Sequence, residues 1–419
     1  MKIYEIVQNK EFLEDKGSSK DKYMENEKTI KLYDIDAYAT EFEGMVLSCR
    51  EVETVNGCGD EIQLYEVVLN QTLFFPEEGG QTPDKGVLGG VEVVDVQIKV
   101  DVIKHYLTAP LEVGKLVGGK IDWKHRFFNM QQHSGEHLFS GLAHRKYGLR
   151  NVGFHLSNQI VTMDFDKALS EEQLKEMEWE INEAIVANVE IKTGYPAKEE
   201  LATLEYRSKI EIDGAVRIVE IPGYDICACC APHVHRTGEI GVFKIQNVQN
   251  YKGGMRISFL CGFRALEEYR KKAEIISELS GILTTNQDNL ADHVNKLKTQ
   301  VQSLKTQLSN AKQTLMESKI AEIPAEQKDV LLFERDIDTP VMRSVVNKLV
   351  EKHEGVCGIF VGDDENGYNF IIGSKTIDCR EVATKLREEL NARGGGKPQM
   401  IQGSIEATQV RIVSVLSAY

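Results

Sequence analysis

Residues 126–148 read RFFNMQQHSGEHLFSGLAHRKYG, and residues 225–241 read DICACCAPHVHRTGEIG. The first stretch has the length and composition of a helix that begins near Arg126 and ends around Gly148, a residue suited to a helix C-terminus. His133 and His137 lie four residues apart in it, so both imidazoles fall on one helix face. His133, His137, Phe139 and Leu142 do not all fit one core-facing stripe, which gives the histidine face a polar purpose of its own. In the second stretch Cys229 and His233 are again four apart. An H-x-x-x-H with a distant C-x-x-x-H makes a nitrogen and sulfur donor set of the kind that tetrahedral zinc takes. Folding that joins them would put residues almost a hundred positions apart into one cleft. Cys227, Cys230 and His235 crowd the same segment and compete for the ligand positions, and the spacing alone leaves that choice open.

Around these two stretches the chain divides into four parts, and the fold class is α+β multidomain. Residues 1–103 are strand-rich: KIYEIV near the start, then EGMVLSCREV, EIQLYEVVLN, TLFFP and VEVVDVQIKV, separated by NGCGD, PEEGGQTPDKG and LGG. Short β-branched and aromatic runs with this punctuation predict a small barrel. Residues 104–261 form an α+β domain that contains both half-motifs and an acidic helix starting at Ser170. Residues 262–320 are helical. Leu290, Val294, Leu297, Val301, Leu304, Leu308, Ala311 and Leu315 alternate steps of four and three, an a/d seam of nearly four heptads. That seam fits either a helical hairpin packed on its own chain or a coiled coil that makes a homodimer. Residues 321–419 alternate helix and strand as an α/β module that closes with VRIVSVL as its last strand; NARGGGKPQMIQGS lies between that strand and the last helix, where its glycines either let the backbone approach a ligand closely or form a C-cap and flexible loop.

Composition narrows the function. The 419 residues carry a formal charge of −15, which excludes a broadly basic nucleic-acid binder. Residues 262–320, with 9 basic and 7 acidic side chains, form the one segment with a positive balance. No run of about 18 apolar residues exists to span a membrane, and the charged N-terminus has no apolar signal core. Eight clustered cysteines suit a reducing compartment, so a cytoplasmic protein is expected.

A zinc ion with an open position polarises a carbonyl or activates water, which points to an ester or amide hydrolase. Four protein ligands instead make a closed, structural site. HSGEH also fits H-x-x-E-H, in which Glu136 would be the general base of a metallopeptidase. That reading leaves the C-x-x-x-H unexplained.

HSGEH followed by CCAPHVHRTGEIG resembles the zinc motifs of the alanyl-tRNA synthetase editing domain and of the free-standing AlaX editing proteins, here in a long form. FFPEEGGQTPDKG, with Gly79, Gly80, Gln81, Asp84 and Gly86, resembles the same family's barrel motif. RGGGKPQMIQGS resembles the C-terminal domain shared with DHH-family phosphoesterases. The resemblance implies hydrolysis of tRNA(Ala) mischarged with serine or glycine. It implies Zn2+ held by His133, His137, Cys229 and His233, with Gln81 and Glu136 contacting substrate or water. It also implies a grip on tRNA, and dimerisation, through the helical and C-terminal segments. The alternative to an editing hydrolase or a metallopeptidase is a non-catalytic tRNA-binding or scaffold protein with structural zinc. Two departures stand out. The usual C-G-G-T-H is C-C-A-P-H here, where Pro232 stiffens the loop and removes an N–H, and the first 28 residues have no counterpart among these motifs.

Overall fold

A computed structural model describes residues 28–55, 61–157, 160–208 and 214–417. The expected KIYEIV strand and the NGCGD turn lie outside the described residues. The chain forms two compact units, Met1–Ile275 and Ile276–Tyr419.

The first unit opens with a one-turn helix, α1 (Leu32–Ile35), followed by six strands: β1 (Glu41–Val55), β2 (Glu61–Leu69), β3 (Gly86–Leu88), β4 (Val91–Lys99), β5 (Val102–Leu107) and β6 (Leu116–Ile121). They close into a barrel in the order β1-β2-β5-β4-β3-β6, with β6 pairing back onto β1. Closure removes the strand edges that would otherwise recruit other chains. Val46, Val67, Leu69, Val96, Ile103 and Leu107 fill the interior. The domain boundary drawn at residue 103 runs through β5, and strand pairing carries the barrel on to Ile121.

Then come α2 (Trp123–Tyr147), β7 (Asn151–Leu156), β8 (Val161–Phe165), α3 (Glu171–Val186), β9 (Lys192–Gly194), β10 (Ile218–Ile221), β11 (Asp225–Ala228), β12 (Phe243–Tyr251), β13 (Gly254–Cys261) and α4 (Gly262–Ile282). Two sheets result: an antiparallel four-stranded sheet, β12-β13-β8-β7, and a three-stranded sheet, β9-β10-β11. A capping box starts α3, with Ser170 Oγ accepting from Gln173 N–H and the Gln173 side chain accepting from Ser170 N–H.

Helix α2 starts earlier than its hydrophobic pattern indicates, because Asp122 caps it by accepting from His125 N–H at 3.1 Å. It ends at Gly148, whose φ of 62° is the left-handed C-cap conformation. Every residue from Asn129 to Ala143 is buried. The polar histidine face therefore lies inside the unit, on a helix that packs against α3, β7, β11 and β13.

The second unit contains α5 (Leu290–Ala321), β14 (Val330–Glu334), α6 (Thr339–Lys352), β15 (Cys357–Asp363), β16 (Gly367–Gly373), α7 (Cys379–Leu390), β17 (Arg393–Lys397), β18 (Met400–Ile405) and α8 (Gln409–Leu416). Its five strands form one mixed sheet in the order β14-β15-β16-β18-β17. The glycines of RGGGK are an edge strand, β17, and not a loop; it pairs with β18 from Arg393–Ser404 to Lys397–Met400. VRIVSVL, expected as the last strand, is helix α8. Its β-branched run suits a strand, but Ile412 and Leu416 lie on one helical face and enter the core.

The last turn of α5 belongs to this unit's core, with Met316 and Ile320 packed among Val330, Val341 and Val345. Val294, Leu297, Val301, Leu304, Leu308 and Leu315 are each about half exposed. Among the described residues no helix is long and apolar enough to cross a membrane.

Candidate metal centre

The two distant half-motifs meet. His133, His137, Cys229 and His233 each offer one ligand atom, and these four atoms all lie within 4.8 Å of one another. Cys229 Sγ is 3.5 Å from His133 Nε2 and 3.4 Å from His233 Nε2. The edge of a tetrahedron built with ordinary zinc–sulfur and zinc–nitrogen bond lengths is about 3.5 Å. The spacing fits such an ion, and so does a donor set of three imidazole nitrogens and one thiolate sulfur.

The imidazoles are oriented from behind. Nδ1 of His133 is 2.9 Å from Gln81 Oε1, Nδ1 of His137 is 2.9 Å from Asp225 Oδ2, and Nδ1 of His233 is 2.9 Å from Ser134 Oγ. A carboxylate and an amide oxygen only accept, so Nδ1 of His133 and of His137 donates to them, and these bonds fix the orientation of both rings at the cluster. Ser134 Oγ also accepts from Val234 N–H at 3.3 Å. Asp225 is gripped by Arg207, whose Nε and Nη2 donate at 2.7 Å.

Charge follows this arrangement. Burial pushes the Asp225 carboxyl up, but the hydrogen bonds from His137 and Arg207 outweigh it and hold the group below its ordinary range. Burial opposes ionisation of Cys229 too, yet His133 and the surrounding imidazole hydrogen bonds outweigh it, so the thiol titrates well below its usual range. Burial pushes His233 down to about 3. A thiolate beside a neutral imidazole is the form in which both bind metal.

Cys227 is buried, and that burial pushes its thiol up; with His137 and Asp225 it forms a second group of ligand atoms close enough to hold a metal ion. Cys230 packs against the barrel core, and its thiol is pushed up by burial, by Cys229 and by Glu78. His235 stacks on Tyr38 with ring centroids 3.9 Å apart. Thr237, in the T-G-x-I-G continuation, ties a short turn to α3 by donating to Ala184 O at 2.7 Å.

Gln81 and Glu136, the two expected contact residues, are both buried at the centre. Gln81 reaches His133 because Gly79 and Gly80 make a turn in the left-handed region, φ 63° and 82°. A Cβ at Gly80 would sit 2.3 Å from the carbonyl oxygen of Phe154, so this close approach to β7 requires glycine. Glu136 Oε1 accepts from Ser140 Oγ at 2.7 Å and from Asn151, while Oε2 lies 3.9 Å from His137 Nε2.

Four positioning residues escaped the sequence reading: Ser134, Asp225, Arg207 and Arg217. Arg217 holds the Cys229 loop, donating through Nη1 to Cys229 O at 3.0 Å and to Ala231 O at 2.9 Å. Ser134 and Asp225 lie inside or beside the quoted motifs and could have been suspected. Nothing local marks the two arginines.

Comparison with known proteins follows the same line. Residues 216–258 match the threonyl and alanyl tRNA synthetase second additional domain, residues 326–415 match the DHHA1 domain, and residues 4–125 match the class II (A) tRNA synthetases. The third match begins at residue 4, so the N-terminal stretch without a motif counterpart does have one at this level. The chain is 30% identical over 380 residues to the alanyl-tRNA editing protein Aarsd1 of Danio rerio, covering 88% of this chain and 92% of that protein. It is 27% identical to the Rattus norvegicus protein of the same name, with the same coverage. It is also 27% identical over 402 residues to the alanine–tRNA ligase of Ignicoccus hospitalis, covering 93% of this chain but 42% of the ligase. The cluster of three histidines and a cysteine thus sits in a chain that belongs to the Aarsd1-like family of alanyl-tRNA editing proteins.

Proposed function

We propose that this chain is a trans-editing hydrolase that deacylates mischarged tRNA(Ala), chiefly the seryl ester and also the glycyl ester, with zinc held by His133, His137, Cys229 and His233. The observation that carries this reading is the convergence of four donors whose imidazoles are already oriented by Gln81, Asp225 and Ser134. Relatives named for alanyl-tRNA editing support the substrate class. Alanine, serine and glycine differ by one small group, too little for a single binding step to separate well, and a second hydrolytic site solves that problem.

Bound zinc would supply Lewis acidity beside the ester carbonyl. The rest is done by side chains. Gln81 accepts through Oε1 from His133, while its Nε2 is a buried donor without a partner. That donor is placed to bond the carbonyl oxygen as charge builds on it. Glu136 Oε2, held near His137 by the grip of Ser140 and Asn151 on the other oxygen, orients the attacking water. A metallopeptidase reading rests on Glu136 alone, and the Cys229 thiolate in the same cluster opposes the electrophilicity that peptide cleavage needs.

Zinc-loaded protein is expected to hydrolyse Ser-tRNA(Ala) rapidly, spare Ala-tRNA(Ala), and lose the activity in Cys229→Ala. Failure of the wild-type protein to turn over any aminoacyl-tRNA would overturn the reading and leave a non-catalytic tRNA binder with structural zinc.

The α5 seam completes the proposal. A half-exposed stripe of Val294, Leu297, Val301, Leu304 and Leu308 is buried if a second copy pairs along it. Sedimentation velocity is expected to show a dimer for the wild type and a monomer for Leu304→Lys/Leu308→Lys. A monomeric wild type across micromolar concentrations rules the pairing out.

A further inference from the structure

Buried polar atoms without a hydrogen bond are uncommon in folded proteins, because each gives up its bond to water and gains none in return. Among the described residues six side-chain atoms are of this kind, and five of them belong to α1 and the 78–82 turn: Tyr33 Oη, Asp34 Oδ1, Glu78 Oε2, Gln81 Nε2 and Thr82 Oγ1. Such a concentration beside a metal-competent cluster is hard to account for by packing.

The turn is anchored at the centre. Backbone hydrogen bonds join Glu78 and Gln81 in both directions, at 3.3 and 3.0 Å, and Gln81 touches His133. A Cβ at Gly79 would come 3.5 Å from Cys230 Sγ. Cys229 and Cys230 in turn pack against the barrel cluster that contains Tyr33.

The five atoms are of two kinds. Asp34 is already satisfied electrostatically, with Arg217 Nε 3.2 Å from Oδ1 and Tyr195 donating to Oδ2 at 2.8 Å. Glu78 has no ion-pair partner among the described residues; its carboxylate only accepts, and the Cys230 thiol is its hydrogen-bonding neighbour. Tyr33, Gln81 and Thr82 carry donors. A ligand with a cationic N–H donor for the Glu78 carboxylate and carbonyl and hydroxyl oxygens for the neighbouring donors complements this set. An α-aminoacyl ester has that pattern, since an α-amino group titrates near 7.7–8.0 and is mostly ammonium at about pH 7.

We propose that Glu78 binds the α-ammonium of the aminoacyl group, making this wall a selector for esters with a free amine. The inference rests on the editing reading above and adds a specificity residue to it. It excludes N-blocked aminoacyl-tRNAs: an N-acyl group removes the charge and adds bulk where Glu78 and Cys230 close together.

The test compares Ser-tRNA(Ala) with N-acetyl-Ser-tRNA(Ala), using the zinc-loaded full chain. The wild type is expected to favour the free amine in kcat/KM by about 10- to 100-fold, the usual worth of a charge-assisted hydrogen bond. Glu78→Gln should lose about that factor on the seryl ester, change the N-acetyl ester by less than about twofold, and keep its zinc. Glu78→Asp, which keeps the charge, should recover part of the preference. An unchanged preference in Glu78→Gln, or equal loss on both esters, overturns this inference while leaving editing intact. A wild type inactive on both esters overturns the editing reading and this one with it.

Discussion

Replacing His137 with alanine is expected to abolish tight zinc binding and, with it, seryl ester hydrolysis. The argument begins with where the helix puts the ring. His137 lies on a turn of α2 that is buried on every side, so no water can take the vacated position without new partners. Its loss also strands Asp225, which accepts from His137 and Arg207 and is nearly inaccessible. Asp225→Asn separates ligand from support. It leaves all four donors in place but removes the charge that fixes the His137 tautomer, and should weaken zinc binding by roughly 10- to 100-fold. The ligand deletion should exceed that. Competition with a chromophoric chelator, together with metal content after dialysis, measures both. If His137→Ala retains stoichiometric zinc with near wild-type affinity, the assignment of His137 as a ligand fails.

The histidine half of the cluster was legible in the sequence because helical spacing converts directly into geometry. Four residues on α2 bring two imidazoles together whatever else the fold does. Spacing left Cys229 and His233 in competition with Cys227, Cys230 and His235; folding brings Cys229 and His233 to the two α2 histidines, puts Cys227 beside His137 and Asp225, and stacks His235 on Tyr38. What spacing cannot carry is the support behind the ligands. Arg207 reaches Asp225 across 18 positions, and Ser134 reaches His233 across 99; such bonds depend on tertiary packing. The C-terminal module behaved similarly. VRIVSVL has strand propensity but pairs with no neighbour. It closes the second unit as a helix because Ile412 and Leu416 find a core on one side. The glycines of RGGGK read as a loop, yet β18 supplies a partner for each of them. Periodicity over long segments survived folding, and short ambiguous runs were decided by neighbours.

The largest stability effect is expected at Asp84 and Arg126, a pair that welds the barrel to α2. Both side chains are almost completely buried. Arg126 Nε lies 3.0 Å from each Asp84 oxygen, Nη1 donates to Ala37 O at 3.0 Å, and Nη2 donates to Leu73 O at 2.6 Å. Asp84 in turn accepts from Phe75 N–H at 2.7 Å. The guanidinium therefore ties together the segment after α1, the strand end before the turn, and the turn itself. Removing one partner leaves the other charge buried without compensation. Asp84→Ala should lower unfolding free energy by about 3–5 kcal/mol, seen as a reduced urea midpoint at unchanged slope. The paired apolar replacement Asp84→Leu/Arg126→Met should recover much of that loss, because no isolated charge remains. It should not recover zinc affinity, since Asp84 lies three residues from Gln81 and holds the turn that lets Gln81 meet His133. A single variant within about 1 kcal/mol of wild type would mean the pair is hydrated and not buried, and a double variant with full zinc affinity would mean that Gln81 is positioned without it.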